Sequence, residues 1–259
     1  MKSKLSIVKI GGNVINDDNK LQSFLNDFSD IDSLKILVHG GGKRATDLAA
    51  ALGLETKMVD GRRITDRANL DIVTMVYAGL LNKNIVAKLQ ANTCNAIGLT
   101  GADANLIKAH KRIVKDIDYG YAGDIDSIDE ATIGLLLKHG IVPVFSAITH
   151  DQKGQLLNTN ADTIASELAK GLASFYEVEL IYCFEKNGVL LHLDDDDSVI
   201  EHINKEKYTQ LKAEKTIAAG MLPKLENCFE SLENGVEKVI IGKPELIKNR
   251  SMKHTTLTL

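Results

Sequence analysis

Two glycine-rich turns stand where apolar runs end. "SIVKIGGN" closes on Gly11-Gly12, and "ILVHGGGKRATD" passes through Gly40-Gly41-Gly42 into a helical pattern. Such turns present consecutive backbone N–H groups, and N–H groups gathered at the head of a helix attract an anion, phosphate above all. Lys9 stands just ahead of the first turn and, on a two-residue period, shares one strand face with Leu5 and Ile7. An ammonium at the end of a buried strand is costly unless an anion neutralises it. A solvated strand end or an internal salt bridge accounts for it equally well.

Further polar clusters follow. "NTNAD" sets Asn158, Asn160 and Asp162 at alternate positions running into a helix. Capping by Asn160, with Asp162 favoured in the first turn, needs only one of the three. The alternating trio therefore reads as site residues. Lys224 in "GMLPK" lies early in a helix, where Pro223 suits the first turn but a cation opposes the dipole unless it serves an anion. Arg62 and Arg63 occupy a hairpin tip. Their planar forks suit a carboxylate, although by itself such a pair is ordinary solvated surface. The seven histidines lack metal-ligand spacing, and the three cysteines form no C-x-x-C pair. The inventory is cationic and amide-rich with one carboxylate. That suits phosphoryl transfer, in which positioning and charge neutralisation do most of the work.

Two nucleotide templates compete with this reading. The P-loop pattern G-x-x-x-x-G-K-[ST] fails, because "GGGKRATD" lacks the second glycine. The dinucleotide pattern G-x-G-x-x-A is met by Gly40, Gly42 and Ala45, with Asp60 at the acidic position, so an NAD-dependent oxidoreductase stays open as an alternative.

Around these residues, strand-length apolar runs alternate with helical patterns from "LSIVKI" to "VEKVIIG". The alternation predicts an α/β fold, a mainly parallel sheet with helices on both faces. Hairpin insertions are expected around 56–65 and 107–126, and a solvated turn at the aspartate run 194–197. A chain of 259 residues can bury a full core. With three prolines and no Gly/Ser/Pro-rich linker, it reads as a single domain, 1–259, of two lobes sharing one sheet, 1–171 and 172–259. A formal charge of −4 argues against nucleic-acid binding. No segment reads as a signal peptide or a membrane span, and the cysteines read as reduced thiols of a cytoplasmic protein.

The motifs "KIGGN", "HGGG", "DGRRITD", "NTNAD" and "GMLPK", in this order over essentially the whole chain, resemble the amino acid kinase family, and within it most closely the N-acetylglutamate kinases. The resemblance implies a three-layer αβα sandwich. It also implies transfer of the ATP γ-phosphoryl group to the side-chain carboxylate of an N-acylated glutamate, in arginine biosynthesis. The acyl-amino acid would bind in the N-terminal lobe and ATP in the C-terminal lobe. By motif match, Lys9 and Lys224 would neutralise the migrating phosphoryl group, with Asp162 holding both lysines. Gly41, Gly42, Arg63, Asn158 and Asn160 would bind the acceptor. Gly11, Gly12, Glu185, Gly188, Thr216, Gly220 and Met221 would face ATP, with Mg²⁺ carried on the nucleotide and no metal site of the chain's own. A homodimer is expected, without arginine inhibition, since inhibited relatives carry an extra N-terminal helix.

This sequence departs from the family pattern in three places. Lys43 and Arg44 follow "HGGG" where proline is usual, Arg62 stands where leucine is usual, and "CFEKNGVLL" replaces T-D-V-x-G with Glu185 at the aspartate position. The added cations suggest an acyl group with its own carboxylate, such as succinyl; solvent-facing side chains are the plainer account. A non-catalytic sensor of acyl-amino acid or nucleotide is a further alternative.

Overall fold

The first strand of the chain carries no alternation of apolar and polar residues, and the reason is its place in the sheet. In β1 (Ser3–Ile10) every residue from Leu5 to Ile10 is buried. Consecutive side chains point to opposite faces, so both faces must be covered. The computed structural model describes residues 2–59, 61–192, 194–214 and 221–259.

After β1 come α1 (Gly12–Ile15), α2 (Asp18–Ser29), β2 (Leu34–His39) and α3 (Gly42–Ala51), then the hairpin β3 (Met58–Val59) and β4 (Arg62–Arg63). A long helix follows: α4 (Arg67–Val73), a π-helical stretch Thr74–Leu81, and α5 (Asn82–Ala91). Next are β5 (Ala96–Leu99), β6 (Ile107–Lys111), β7 (Gly123–Ile128), α6 (Glu130–Lys138), β8 (Val142–Ser146), β9 (Ile148–His150) and β10 (Leu156–Asn158). The C-terminal part holds α7 (Ala161–Leu172), β11 (Tyr176–Cys183), β12 (His202–Ile203), α8 (Lys205–Ala213), α9 (Leu222–Glu233), β13 (Lys238–Gly242) and β14 (Thr255–Leu257).

The main sheet has the order β12-β14-β13-β11-β1-β2-β8-β5. Its pairings are parallel except β13 with β14. This is the expected mixed α/β architecture. β1 is bonded to β2 on one edge and β11 on the other, so strands from before residue 171 lie to one side of it and later strands to the other. Gly171 itself falls inside α7, not in a linker. α7 runs across β11, β1 and β2 and packs on α9, tying the two sides together. The expected insertions appear as the β3–β4 hairpin and as a separate four-stranded sheet, β10-β9-β6-β7. Residues 194–197 are an exposed turn.

One expectation needs correcting. The continuous helix Arg67–Ala91 has 25 residues and a mean hydropathy of 1.2 over its most apolar window, enough by length and composition alone to cross a membrane. Ile72, Val73, Val76, Leu81, Ile85 and Leu89 are instead buried in the protein core. Its apolar character comes from packing as an interior helix of an α/β fold.

Candidate active site

The parallel strands deliver their C-terminal ends to a common edge, and the polar residues collect there, as ligands do in open α/β sheets. β1 brings Lys9, in register with Val38 of β2 and Tyr182 of β11. Only 9% of Lys9 is exposed, and its Nζ lies 2.6 Å from Asp162 Oδ1. Asp162 is fixed at its backbone. The Asn160 side chain caps α7 by accepting hydrogen bonds from the N–H of Asp162 (2.7 Å) and of Thr163 (3.3 Å). The Tyr182 hydroxyl donates to the Asp162 carbonyl at 3.2 Å. The Asn160 side-chain oxygen is thus committed to capping, the plainer of its two readings, although the residue also lines the cavity.

The second glycine turn is shaped from behind. A Cβ on Gly41 would lie 2.4 Å from Leu81 Cδ1 and 2.9 Å from Tyr77 Cδ1, so only glycine fits beneath the π-helical stretch. His39, fully buried, donates from Nδ1 to the Gly40 carbonyl at 2.8 Å. Its Nε2 accepts from Asn82 Nδ2 at 3.1 Å, and that amide nitrogen also donates to the Val144 carbonyl. This wiring demands the neutral ring with the proton on Nδ1. Burial drives the imidazole down to about 4, the Gly40 hydrogen bond opposing this only in part.

A stability prediction follows from the His39 ring. Its folded pKa of about 4 lies below the ordinary 6.5, so between these values the unfolded chain takes up a proton that the folded chain refuses. The neutral ring's contribution is complete above pH 6.5 and declines as pH falls, by about 1.4 kcal/mol per pH unit. Urea denaturation of wild type and His39→Gln should show a stability gap that narrows between pH 7 and 4.5. A gap independent of pH refutes it.

Arg63 is 8% exposed and lines one wall of the site. One nitrogen, Nη2, donates to the Gly42 carbonyl (2.9 Å) and Thr46 Oγ1 (2.7 Å); the other, Nη1, donates to Thr56 Oγ1 (2.9 Å) and Asn69 Oδ1 (3.4 Å). All four partners are neutral. A guanidinium buried among neutral acceptors lacks the charge compensation that would make its burial favourable. Asn158 donates to Thr65 Oγ1 at 3.0 Å and fixes the next wall.

One cavity of about 270 Å³ is lined by Lys9, Gly11, Gly12, Gly41, Gly42, Arg63, Asn158, Asn160 and Asp162. Nine of the residues singled out in the sequence therefore meet at one place. Tyr77, Arg112 and Tyr119 are among the lining residues that the sequence did not flag. Tyr77 reads as an ordinary apolar helix position. Arg112 reads as solvated loop, yet its Nε donates to both carboxylate oxygens of Asp124 at 3.1 Å. Arg62 is exposed but lines the cavity, whereas Lys43 and Arg44 are exposed and absent from its wall.

Lys224 stands apart from that wall. Its Nζ lies 4.3 Å from the centroid of the Phe184 ring, and Lys9 Nζ lies 5.8 Å from the same centroid. Those two distances together cap the separation of the ammonium groups at roughly 10 Å. Asp162 was expected to hold both lysines; among the ion pairs of the described residues it reaches Lys9 alone.

The residues assigned to ATP are less convergent. Glu185 lines a separate cleft beside Asn13, Lys20 and Lys243. Gly188 packs where a Cβ would meet Thr255 Oγ1 at 2.6 Å, a demand of the fold. Met221 is half-buried against the core. Thr216 and Gly220, like Asp60, lie outside the described residues. The three cysteines are free and buried, and burial pushes the Cys183 thiol up to about 12 and Cys228 higher still. Thiols so raised are poor nucleophiles.

Comparison with known proteins meets this geometry from outside. The profile of the amino acid kinase family matches residues 4–243. The acetylglutamate kinase of Phocaeicola vulgatus is 56% identical over 251 residues, covering 97% of this chain and 98% of that protein. The acetylglutamate kinase of Cytophaga hutchinsonii is 55% identical over 243 residues, covering 93% and 92%. In fold, the chain superposes on an N-acetylglutamate synthase from Neisseria gonorrhoeae with a TM-score of 0.82, at 22% identity, over 99% of this chain and 59% of that one. A match running through both halves of the sheet, from β1 to the end of β13, settles the relationship: this chain belongs to the amino acid kinase family.

Proposed function

We propose that this protein is an ATP-dependent acetylglutamate kinase, converting N-acetyl-L-glutamate to N-acetyl-L-glutamyl 5-phosphate in arginine biosynthesis. The observation that carries the reading is the buried Arg63, whose fork meets only neutral partners on the wall that also holds Lys9 and two glycine turns. Such a wall suits a small dianion, its α-carboxylate drawn to Arg63 and its side-chain carboxylate directed at the phosphoryl group. The names of the high-identity relatives point the same way.

In this reading the acceptor carboxylate is already ionised, so no general base is required. One of its oxygens forms a bond to the γ-phosphorus while the bond from that phosphorus to the β–γ bridging oxygen breaks, releasing ADP. Lys9 and Lys224 offset charge on the transferring group, and Asp162 orients Lys9. Amides of Gly11 and Gly12 face the phosphate side, those of Gly41 and Gly42 the acceptor side, and Asn158 the acylamino group. Among the described residues no group of three His, Cys, Asp or Glu could cage a metal ion. Mg²⁺ in this scheme would arrive with the nucleotide and offset charge on its phosphates. Family membership removes the support for an oxidoreductase built on Gly40, Gly42 and Ala45.

A second reading concerns the acyl group. Arg62 and Arg112 line the acceptor cavity, and Coulomb attraction of about 1–4 kcal/mol at 4 Å, before desolvation, would favour an acyl group ending in a carboxylate, such as succinyl. Asp124 already neutralises Arg112, which leaves Arg62 as the stronger support. The proposed oligomer is a homodimer. Met75 and Leu80 of the long helix and Ile97 of edge strand β5 are exposed apolar side chains that a second copy would cover. A cytoplasmic setting would supply ATP and keep the three thiols reduced.

One experiment addresses these points. ADP release, with hydroxylamine trapping of the acyl phosphate, should be measured with N-acetylglutamate, N-succinylglutamate and free glutamate, and the preparation's mass read by light scattering. Acyl-dependent turnover with a trapped hydroxamate is expected, from a species of twice the chain mass. ATP binding with no trapped product would leave a sensor in place of an enzyme. Equal or better kcat/KM for the acetyl substrate ends the succinyl reading, and a monomer ends the dimer.

A further inference from the structure

Phe184 lies near both of the lysines that the kinase reading needs. Its ring follows directly on β11, next to the strand that carries Lys9, and is stacked on Tyr182 at 6.1 Å between centroids, with the ring planes 16° apart. The Lys224 ammonium sits 4.3 Å from its centroid, within the range of a strong cation–π contact, and that of Lys9 sits at 5.8 Å, near the outer limit. One aromatic ring thus lies within cation–π range of both side chains, one from the end of β1 and one from the start of α9. Phe184 directly precedes Glu185 in the stretch "CFEKNGVLL".

The physical problem it addresses is specific. Two ammonium groups within roughly 10 Å repel each other before any substrate arrives. A second carboxylate would hold Lys224 in place, but it would also cancel the positive charge that a migrating phosphoryl group requires. The negative face of an aromatic ring attracts a cation without neutralising it. Asp162 already compensates Lys9. A ring at the other lysine leaves one full positive charge available at the reaction centre.

We propose that Phe184 is a positioning residue for phosphoryl transfer, a neutral aromatic seat that keeps the Lys224 ammonium close to Lys9 without pairing it with a carboxylate. The inference rests on the kinase reading and on Lys224 serving the phosphoryl group.

The test replaces Phe184 in the full-length protein by 4-fluoro-, 3,5-difluoro- and 3,4,5-trifluorophenylalanine. Fluorination withdraws the π-electron density step by step and hardly changes the ring's volume, so a residue that only packs would show no trend. The expected result is a graded fall in kcat, roughly tenfold across the series, with KM for the acceptor and the melting temperature unchanged. Phe184→Leu, which keeps apolar bulk without a π face, should fall at least as far as the trifluoro form. A flat series, or one in which kcat rises, overturns the proposal. Lys224→Ala in the same assay separates the failures: if it abolishes turnover while the series is flat, only the role of Phe184 falls. If Lys224→Ala is fully active, the kinase reading of this site falls with it.

Discussion

Replacing Lys224 by alanine is expected to lower kcat by roughly 10²–10³-fold while leaving the acceptor KM within a few-fold of wild type. The group acts on charge that develops during transfer, so its loss should appear in turnover and not in ground-state binding. Lys9→Ala is expected to lose at least as much, because it also leaves the Asp162 carboxylate without the ammonium 2.6 Å away. That second loss extends to stability, since a poorly hydrated carboxylate deprived of its partner destabilises the folded chain. The measurement is steady-state kinetics on both variants, with circular dichroism to confirm folding. Either lysine replaced without loss of turnover in a folded sample refutes the assigned chemistry.

The second large effect is expected at Arg63, and it should fall on binding. Arg63→Ala removes a buried cation from the cavity wall, and truncating a buried, hydrogen-bonded charge partner costs about 2–5 kcal/mol, roughly 30-fold to several thousandfold in acceptor KM. Arg63→Lys should rescue little. A point charge cannot reach the Gly42 carbonyl, Thr46, Thr56 and Asn69 together, as the two terminal nitrogens of the planar guanidinium do. Calorimetric titration of the acceptor into both variants reads the effect directly. Wild-type affinity in Arg63→Ala would show that the ligand carboxylate is held elsewhere, with Arg62 and Arg112 the next residues on that wall.

Much of the site could be read from the chain because its parts are local. A glycine pair after an apolar run, or an asparagine two residues ahead of an aspartate at a helix start, constrains the backbone within a few residues. Gly11, Gly12, Gly41, Gly42, Asn158 and Asp162 accordingly reach the same cavity. What escaped depends on longer relations. The π-helical stretch that turns Tyr77 towards Gly42 is a change of hydrogen-bond register, which leaves no mark in composition. Arg112 finds Asp124 only through the pairing of β6 with β7, and without that register both look like surface charges. Asn160 fits both readings the sequence offered, capping α7 with its side-chain oxygen while lining the cavity. The apolar length of Arg67–Ala91 was hidden by the polar residues Asn82, Lys83 and Asn84 that interrupt it.

The innermost strand leaves the ribosome ahead of every other strand of its sheet. β2 follows at Leu34 and covers one edge of β1, but the partner for the other edge does not begin until Tyr176. At a synthesis rate of roughly 5–20 residues per second, that edge of β1 stays unpaired on the nascent chain for on the order of ten seconds. An apolar strand open for so long invites association with other chains, and the ordering of the sheet makes this unavoidable. Lys9 takes its place opposite Tyr182 only when β11 arrives, so the end of β1 that carries it is completed long after β1 itself is made.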